Sequence, residues 1–176
     1  MNADTTPASA GAPVRLSGLE FGLMIAIVLA DQLTKALVRA EIPIDGSIPI
    51  IGTFLNLTHV RNSGAAFGIL NGVDFPYKSA ILALVATAAL MGIAWYAARG
   101  SAHQRVARAG LAMIMAGAVG NLIDRLAFGA VVDFVDVVFG AWHFWAFNVA
   151  DAAITLGVTA LILDMMGTGR HASKTS

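Results

Sequence analysis

The feature that most constrains this chain is a run of twenty residues without a charged side chain, from Ser79 to Ala98. A helix of that length rises about 30 Å, which matches the hydrocarbon core of a bilayer. The rest of the chain has the same bias, because 57% of its 176 residues are hydrophobic and only 12% are charged. Soluble domains contain about 25% charged residues. The sequence therefore predicts a polytopic membrane protein.

Apolar segments of spanning length occur four times along the chain. We predict membrane spans at about 16–40, 79–98, 106–122 and 144–163. They belong to a single membrane domain over 16–167, which lies between a disordered tail at 1–15 and a polar tail at 168–176. Four spans place both termini on the same side of the membrane. Since the 99–108 loop has three arginines and 126–144 has none, the positive-inside rule predicts that both termini are cytoplasmic.

The segment 41–75 differs in kind from the predicted spans. Proline and glycine interrupt short β-branched runs in it, and FLNLTHV alternates apolar with polar residues. Both patterns are typical of strands and turns. We therefore predict an α-helical integral membrane protein, a bundle of four transmembrane helices with a small extracytoplasmic β-insert at 41–75.

Composition excludes several classes of function. The chain has no cysteine, which excludes disulfides, thiolate metal sites and a cysteine nucleophile. Its net charge is zero, with eleven basic and eleven acidic residues, and no basic cluster indicates a nucleic-acid partner. His59 and His143 lack the spacing of known metal motifs, so neither a metal nor another cofactor is expected.

Four aspartates lie in a short region between the last two predicted spans: Asp124, Asp133, Asp136 and Asp151. Ionisable side chains at a membrane boundary are costly and mark candidate functional sites. Two carboxylates in a poorly solvated pocket share one proton, because both cannot ionise cheaply. The charged one can activate water while the neutral one donates to a carbonyl oxygen. This is the chemistry of aspartic peptide hydrolysis.

Helical spacing suggests which residues accompany these carboxylates. Asn121 and Asp124 are three residues apart, as are Asn148 and Asp151, so each pair lies on one helix face. The VVDFV segment around Asp133 suits a short extended or helical piece folded onto the bundle. Spacing alone leaves both Asp133 and Asp124 open as the partner of Asp151.

Basic residues beside the carboxylates predict supporting ion pairs. Asp31 and Lys35 are four apart on the first span, so they share a helix face and can pair. Asp124 directly precedes Arg125, which predicts a structural ion pair between the two. Arg125 could also hold a catalytic carboxylate in place.

Buried carboxylates also occur in proton-coupled transporters, and a non-enzymatic assembly factor is a further alternative. A transporter is disfavoured by the small number of spans, by the lack of an internal repeat, and by carboxylates that cluster on one side. An assembly factor would tolerate Asp→Asn changes wherever folding survives.

Five motifs along the chain resemble those of lipoprotein signal peptidase, or signal peptidase II, of bacterial inner membranes. They are DQLTK (31–35), NSGAAF (62–67), GNLIDR (120–125), VVDF (131–134) and FNVAD (147–151). They occur in the family's order, and the resemblance covers about residues 18–167. Each motif alone is weak, but five in order form a specific signature.

The resemblance implies an aspartyl endopeptidase with four transmembrane helices and an extracytoplasmic β-cradle. Such an enzyme cleaves diacylglyceryl-modified prolipoproteins N-terminal to the lipid-modified cysteine, and its partners are these substrates and membrane lipids. It implies a catalytic dyad of Asp133 and Asp151, which faces the extracytoplasmic side of the inner membrane. The residues that it implies for substrate binding or support are Asn62, Asn121, Asp124, Arg125, Asn148, Asp31 and Lys35. We expect the protein to act as a monomer.

Overall fold

The computed structural model describes residues 17–64, 70, 73, 75–99, 105–140 and 142–172. The helices are α1 (Gly18–Glu41), α2 (Lys78–Arg99), α3 (Arg105–Phe128) and α4 (Val149–Ala172), and the strands are β1 (Ser47–Ile51), β2 (Leu55–Asn62), β3 (Val131–Phe139) and β4 (Trp142–His143). The predicted tail at 1–15 lies outside the described residues. So do 65–69 of the NSGAAF region, 100–104 of the arginine-containing loop and 173–176.

Local sequence explains both ends of α1. The backbone N–H of Ser17, the N-cap residue, donates to the carboxylate of Glu20, which satisfies one of the free donors at the helix start. The helix stops at Glu41 because Ile42 precedes Pro43 and takes an extended conformation.

Apolar side chains cover the outside of the helices. Leu19, Leu33 and Leu37 on α1 are all more than half exposed. Over the described residues, α1 and α3 are each long and apolar enough to cross a membrane, and the apolar part of α2, Lys78–Gly92, is shorter. So large an exposed apolar surface is unfavourable in water but is suited to lipid. The architecture is that of a helical membrane protein with a small sheet.

Glycines allow α3 and α4 to pack closely. A Cβ atom added at Gly157 would lie 2.5 Å from the carbonyl oxygen of Gly110, and one added at Gly117 would collide with the carbonyl oxygen of Ala150. Small residues at such positions let two helix backbones approach, which is the usual packing mode in a bilayer. This contact fixes the start of α4 beside the middle of α3, which also contacts α1 and α2.

The four strands form one antiparallel sheet in the order β1–β2–β3–β4. Arg61 pairs with Val132, and Asn62 pairs with Val131. Directly opposite residues share a face and successive residues alternate. One face of β2 and β3 therefore carries Asn62 and Asp133, and the other carries Arg61 and Val132.

Several predicted boundaries were wrong. The sheet is not confined to 41–75, because β3 and β4 come from the region before α4. This region is rich in β-branched valine, and its pairing with the distant β2 cannot be read from local sequence. Helix α4 begins at Val149 rather than 144, and it runs on to Ala172 through most of the predicted polar tail. Helix α3 continues past 122 to Phe128, and Asp124 and Arg125 lie on this helix, as predicted.

Candidate active site

Asp133 and Asp151 reach the same cavity from two different elements. Asp133 lies on β3, and Asp151 lies in the first turn of α4. Both line a cavity of about 670 Å³, together with Asn62, Asn121 and Arg125. The sheet and the helix thus bring together two carboxylates that are eighteen residues apart in the sequence.

Asn148 joins the two aspartates directly. Its side-chain Nδ2 donates to Asp133 Oδ1 at 2.7 Å, and its backbone N–H donates to Asp151 Oδ2 at 3.2 Å. The backbone N–H of Asp151 donates in return to Asn148 Oδ1 at 3.0 Å. This reciprocal exchange caps α4, since an N-cap side chain and the residue three positions later satisfy each other's donors. Helix capping therefore fixes the spacing of the two carboxyl groups.

Two more amides complete the set of donors around the aspartates. Asn62 Nδ2 donates to Asp133 Oδ2 at 3.0 Å, and Asn121 Nδ2 donates to Asp151 Oδ1 at 2.8 Å. All four carboxyl oxygens therefore accept a hydrogen bond from an N–H group. Amides suit this position because they hold a carboxyl group in either protonation state without adding charge.

Burial raises the pKa of Asp133 to about 7, from an ordinary value of 3.8. The nearby charge of Asp151 raises this pKa further, whereas the hydrogen bonds from Asn62 and Asn148 oppose the shift. Near neutral pH, Asp133 can thus hold a proton. A pair of carboxyl groups in this state contains one acid and one base.

A buried lysine lies behind the dyad. The side chain of Lys35 is completely inaccessible to solvent, and its ammonium group lies 2.8 Å from Asp31 and 3.4 Å from Asp124, both of which are also inaccessible. Lys35 Nζ also donates to Asn121 Oδ1 at 2.9 Å. This confirms the predicted ion pair between Asp31 and Lys35. It also shows that the pair belongs to a larger network under the cavity.

The two carboxylates of this network hold the backbones that carry the dyad. The backbone N–H of Ala150, beside Asp151, donates to Asp31 Oδ1 at 3.0 Å. The backbone N–H of Val132, beside Asp133, donates to Asp124 Oδ2 at 3.1 Å. Lys35 therefore connects the start of α4 and the start of β3 through one ammonium group.

Close packing leaves no room for a side chain at one point of the network. A Cβ atom at Gly120 would lie 2.6 Å from Asp31 Oδ2. The carbonyl oxygen of Gly120 also accepts a hydrogen bond from Gln32 Nε2 at 3.1 Å. Glycine in the GNLIDR motif thus lets α1 approach α3 closely enough to bury the ion pairs.

The predicted ion pair between Asp124 and Arg125 was wrong. Asp124 Oδ1 pairs with Arg39 at 2.6 Å, because successive helix residues point about 100° apart. Arg125 donates instead to the carbonyl oxygens of Asn121, at 3.2 Å, and Gly64, at 3.1 Å. Within the described part of the chain, Arg125 forms no ion pair with Asp133 or Asp151, so its predicted contact with a catalytic carboxylate is absent.

Arg39 and Gln32 belong to this network but were not predicted as site residues. A signal for Arg39 was present, since Asp31, Lys35 and Arg39 are spaced by four residues and lie along one face of α1. Gln32 was harder to find, because its contact with Asp124 depends on the packing of α1 against α3.

The walls of the cavity are mostly apolar. Aromatic residues before α4 form one side, including Phe144, Trp145 and Phe147. Alanines of α2 and α3 form another side. The described residues contain no group of three or more His, Asp or Glu that could hold a metal ion. The ring of His59 is buried away from the dyad, and its Nδ1 lies 2.8 Å from the carbonyl oxygen of Ile42.

Known proteins are similar to this chain in sequence and in fold. The family model described as signal peptidase (SPase) II matches residues 23–167. A lipoprotein signal peptidase of Desulforapulum autotrophicum is 46% identical over 136 residues, which cover 77% of this chain and 84% of the relative. One of Syntrophotalea carbinolica is 38% identical over 161 residues, which cover 90% and 99%. A solved bacterial membrane enzyme superimposes with a TM-score of 0.78 at 29% identity, over 89% of this chain and 92% of its own.

Replacing Lys35 by methionine should destabilise the protein strongly. The change keeps the length of the side chain but leaves Asp31 and Asp124 with less compensation for their buried charge. Breaking a buried ion pair in this way costs about 3–5 kcal/mol. The free energy of unfolding in detergent would measure the loss. Adding Asp31→Asn to Lys35→Met should recover part of it, and a double variant less stable than the single one would contradict this account.

The raised pKa of Asp133 predicts a pH-dependent stability. The folded state holds this proton up to about pH 7, whereas the unfolded state releases it near 3.8. The stabilisation is thus complete below the unfolded pKa and is lost as the pH rises through the folded pKa. Unfolding of the wild type and of Asp133→Asn should be compared from pH 4 to 8. The free energy of unfolding of the wild type relative to the variant should fall over this range. A difference between the two that stayed constant with pH would exclude the raised pKa of Asp133.

Proposed function

The chain belongs to the signal peptidase II family, and we propose that Asp133 and Asp151 are the catalytic dyad with which it cleaves its substrate. As a member of this family it is a bacterial membrane protein and an aspartic peptidase that removes signal peptides from prolipoproteins. The observation that carries the proposal is the shared contact of both aspartates with Asn148 at the wall of one cavity.

Asp151 acts as the base of the dyad. Its oxygens accept hydrogen bonds from Asn121 Nδ2 and from the backbone N–H of Asn148. It also lies in the first turn of α4, where the helix dipole favours a negative charge. Its carboxylate takes a proton from a water molecule, whose oxygen attacks the carbonyl carbon of the scissile peptide bond.

Asp133 acts as the acid. It donates its proton to the carbonyl oxygen during the attack, so a neutral tetrahedral diol forms rather than an oxyanion. The C–N bond then breaks as Asp151 passes its proton to the leaving nitrogen, and Asp133 regains a proton from the diol. The dyad ends the cycle with the one proton with which it began.

The contacts of Asp124 argue against it as the partner of Asp151. Asp124 is inaccessible to solvent and pairs with Arg39 and Lys35. It does not line the cavity that Asp133 and Asp151 share. Its oxygens are held by these two cations and by the backbone N–H of Val132, so its role is to position β3.

The shape of the cavity supports a lipid-modified substrate. Its apolar walls suit the segment before the cleavage site, and polar groups occur where the dyad lies. Asn62 lies at this polar end, where its amide can also bind substrate backbone, and Arg125 positions the segment at Gly64. We infer that cleavage occurs N-terminal to the diacylglyceryl-modified cysteine, whose acyl chains stay in the bilayer while the peptide bond enters the cavity.

The distribution of arginine and the position of the dyad support one orientation in the membrane. All four helices cross the bilayer, and the arginines at the end of α2 and the start of α3 are cytoplasmic together with both termini. The sheet and the dyad then lie at the extracytoplasmic side, as a β-cradle next to the outer leaflet. Both aspartates and their supporting residues come from one chain, which suits a monomer.

Replacing either dyad aspartate by asparagine should abolish cleavage. Asparagine keeps the size of the side chain but can neither accept nor release the proton, so kcat should fall by at least 10³-fold, as expected when the acid or base of a coupled pair is lost. The assay is cleavage of a diacylglyceryl-modified prolipoprotein by purified enzyme in detergent.

Asp136→Asn supplies the matched control, because Asp136 lies on the same strand, β3, but does not line the cavity. It should retain cleavage within a few-fold of the wild type. If Asp133→Asn folded and remained active while Asp124→Asn folded and was inactive, the dyad would be Asp124 and Asp151.

A further inference from the structure

A second cavity lies on the other face of the sheet from the dyad. It has a volume of about 270 Å³, and its lining residues are Arg39, Ile44, His59, Arg61, Phe128, Ala130 and Val132. In β3, Val132 faces this cavity and the next residue, Asp133, faces the catalytic one. The two cavities are thus separated by β2 and β3, and nothing in the proposed reaction uses the second one.

Two guanidinium groups occur in this second cavity. Arg39 lies at the end of α1, with its Cζ 4.1 Å from the ring centroid of Phe128, and its NH2 pairs with Asp124. Arg61 lies on β2 and donates to the carbonyl oxygen of Phe128 at 3.2 Å. Each guanidinium carries five N–H donors, so both retain donors that these contacts do not use.

The balance of charge leaves the cavity positive. Arg39 and Lys35 compensate Asp31 and Asp124, so this buried set is neutral as a whole. Among the described residues, no carboxylate forms an ion pair with Arg61. The acidic residues Glu41 and Asp45 are exposed and do not line the cavity.

Apolar side chains complete the cavity and continue towards the membrane. Ile44 and Phe128 are 55% and 50% exposed, although both are large and apolar. The ends of α1 and α3 that border the cavity also carry Leu37 and Leu126, which are 62% and 71% exposed. An anionic group in the cavity would therefore be joined to an apolar surface that faces lipid.

We propose that this second cavity binds the phosphate headgroup of an anionic phospholipid from the leaflet beside the sheet. The inference rests on the proposed orientation, which places the ends of α1 and α3 at the level of the headgroups. Arg61 and Arg39 donate to the phosphodiester oxygens, since the planar guanidinium matches that geometry. The glycerol and the first acyl carbons lie against Ile44 and Phe128. A lipid held there would fix the height of the sheet relative to the bilayer.

The test measures lipid binding rather than cleavage. Full-length protein in detergent is titrated with phosphatidylglycerol or phosphatidylcholine, and bound lipid is counted by native mass spectrometry. The wild type should bind one phosphatidylglycerol more tightly than phosphatidylcholine. Arg61→Gln should weaken phosphatidylglycerol binding about tenfold through the loss of charge-assisted hydrogen bonds. Arg61→Lys should have an intermediate affinity, because it keeps the charge but not the planar fork.

Arg105→Gln is the matched control, since Arg105 is an exposed arginine at the opposite end of α3. It should bind phosphatidylglycerol as the wild type does. Equal binding by Arg61→Gln and the wild type, or an equal loss in Arg105→Gln, would overturn the proposal. Soluble glycerophosphoglycerol should not compete at millimolar concentration, and full competition would show a site for free phosphate esters instead of a lipid.

Asp133→Asn separates this proposal from the catalytic one. The variant should lose cleavage and still bind phosphatidylglycerol with the wild-type affinity. If Asp133→Asn cleaved normally, the proposed catalytic dyad would be wrong, but the proposed lipid site would not be affected. Loss of lipid binding in a folded Asp133→Asn would show that the lipid occupies the catalytic cavity, and would overturn the second site.

Discussion

The burial of Lys35 is the constraint on which the rest of the site depends. An ammonium group without access to water is tolerated only if anions and acceptors surround it, and Asp31, Asp124 and Asn121 do so. These three side chains in turn bind the backbone of α4, the backbone of β3 and the carboxyl group of Asp151. One buried charge thereby couples the packing of α1 against α3 to the geometry of the dyad.

The small sheet is the second organising element, because its two faces contact different parts of the protein. Asn62 and Asp133 face the cavity that Asp151 also lines, while Val132 and Phe134 pack against Val38 and other apolar residues at the end of α1. The two environments are separated only because successive side chains along a strand point to opposite faces of the sheet. A register shift of one residue would turn Asp133 towards the apolar cluster and remove the dyad.

Local patterns in the sequence predicted the features that depend on local geometry. The pair of Asp31 and Lys35 follows from i,i+4 spacing, and the contact between Asn148 and Asp151 is an i,i+3 cap. The pairing of β2 with β3 joins residues that are 69 to 82 positions apart in the sequence, and no local periodicity indicates it. The true partners of Asp124 were missed for the same reason, since Arg39 reaches it only after α1 has packed on α3. Motif resemblance supplied the choice between Asp124 and Asp133 that spacing left open.

The chemistry proposed for Asp133 and Asp151 requires that they share one proton in the resting enzyme. Infrared spectroscopy can test it by following the carbonyl stretch of protonated carboxyl groups between pH 4 and 9 in protein with ¹³C-labelled aspartate. We expect one aspartic acid band in the wild type that titrates near pH 7, the pKa of Asp133, and that is absent in Asp133→Asn. A band that persisted unchanged in that variant, or a wild type with no protonated aspartate at pH 6, would contradict the shared proton.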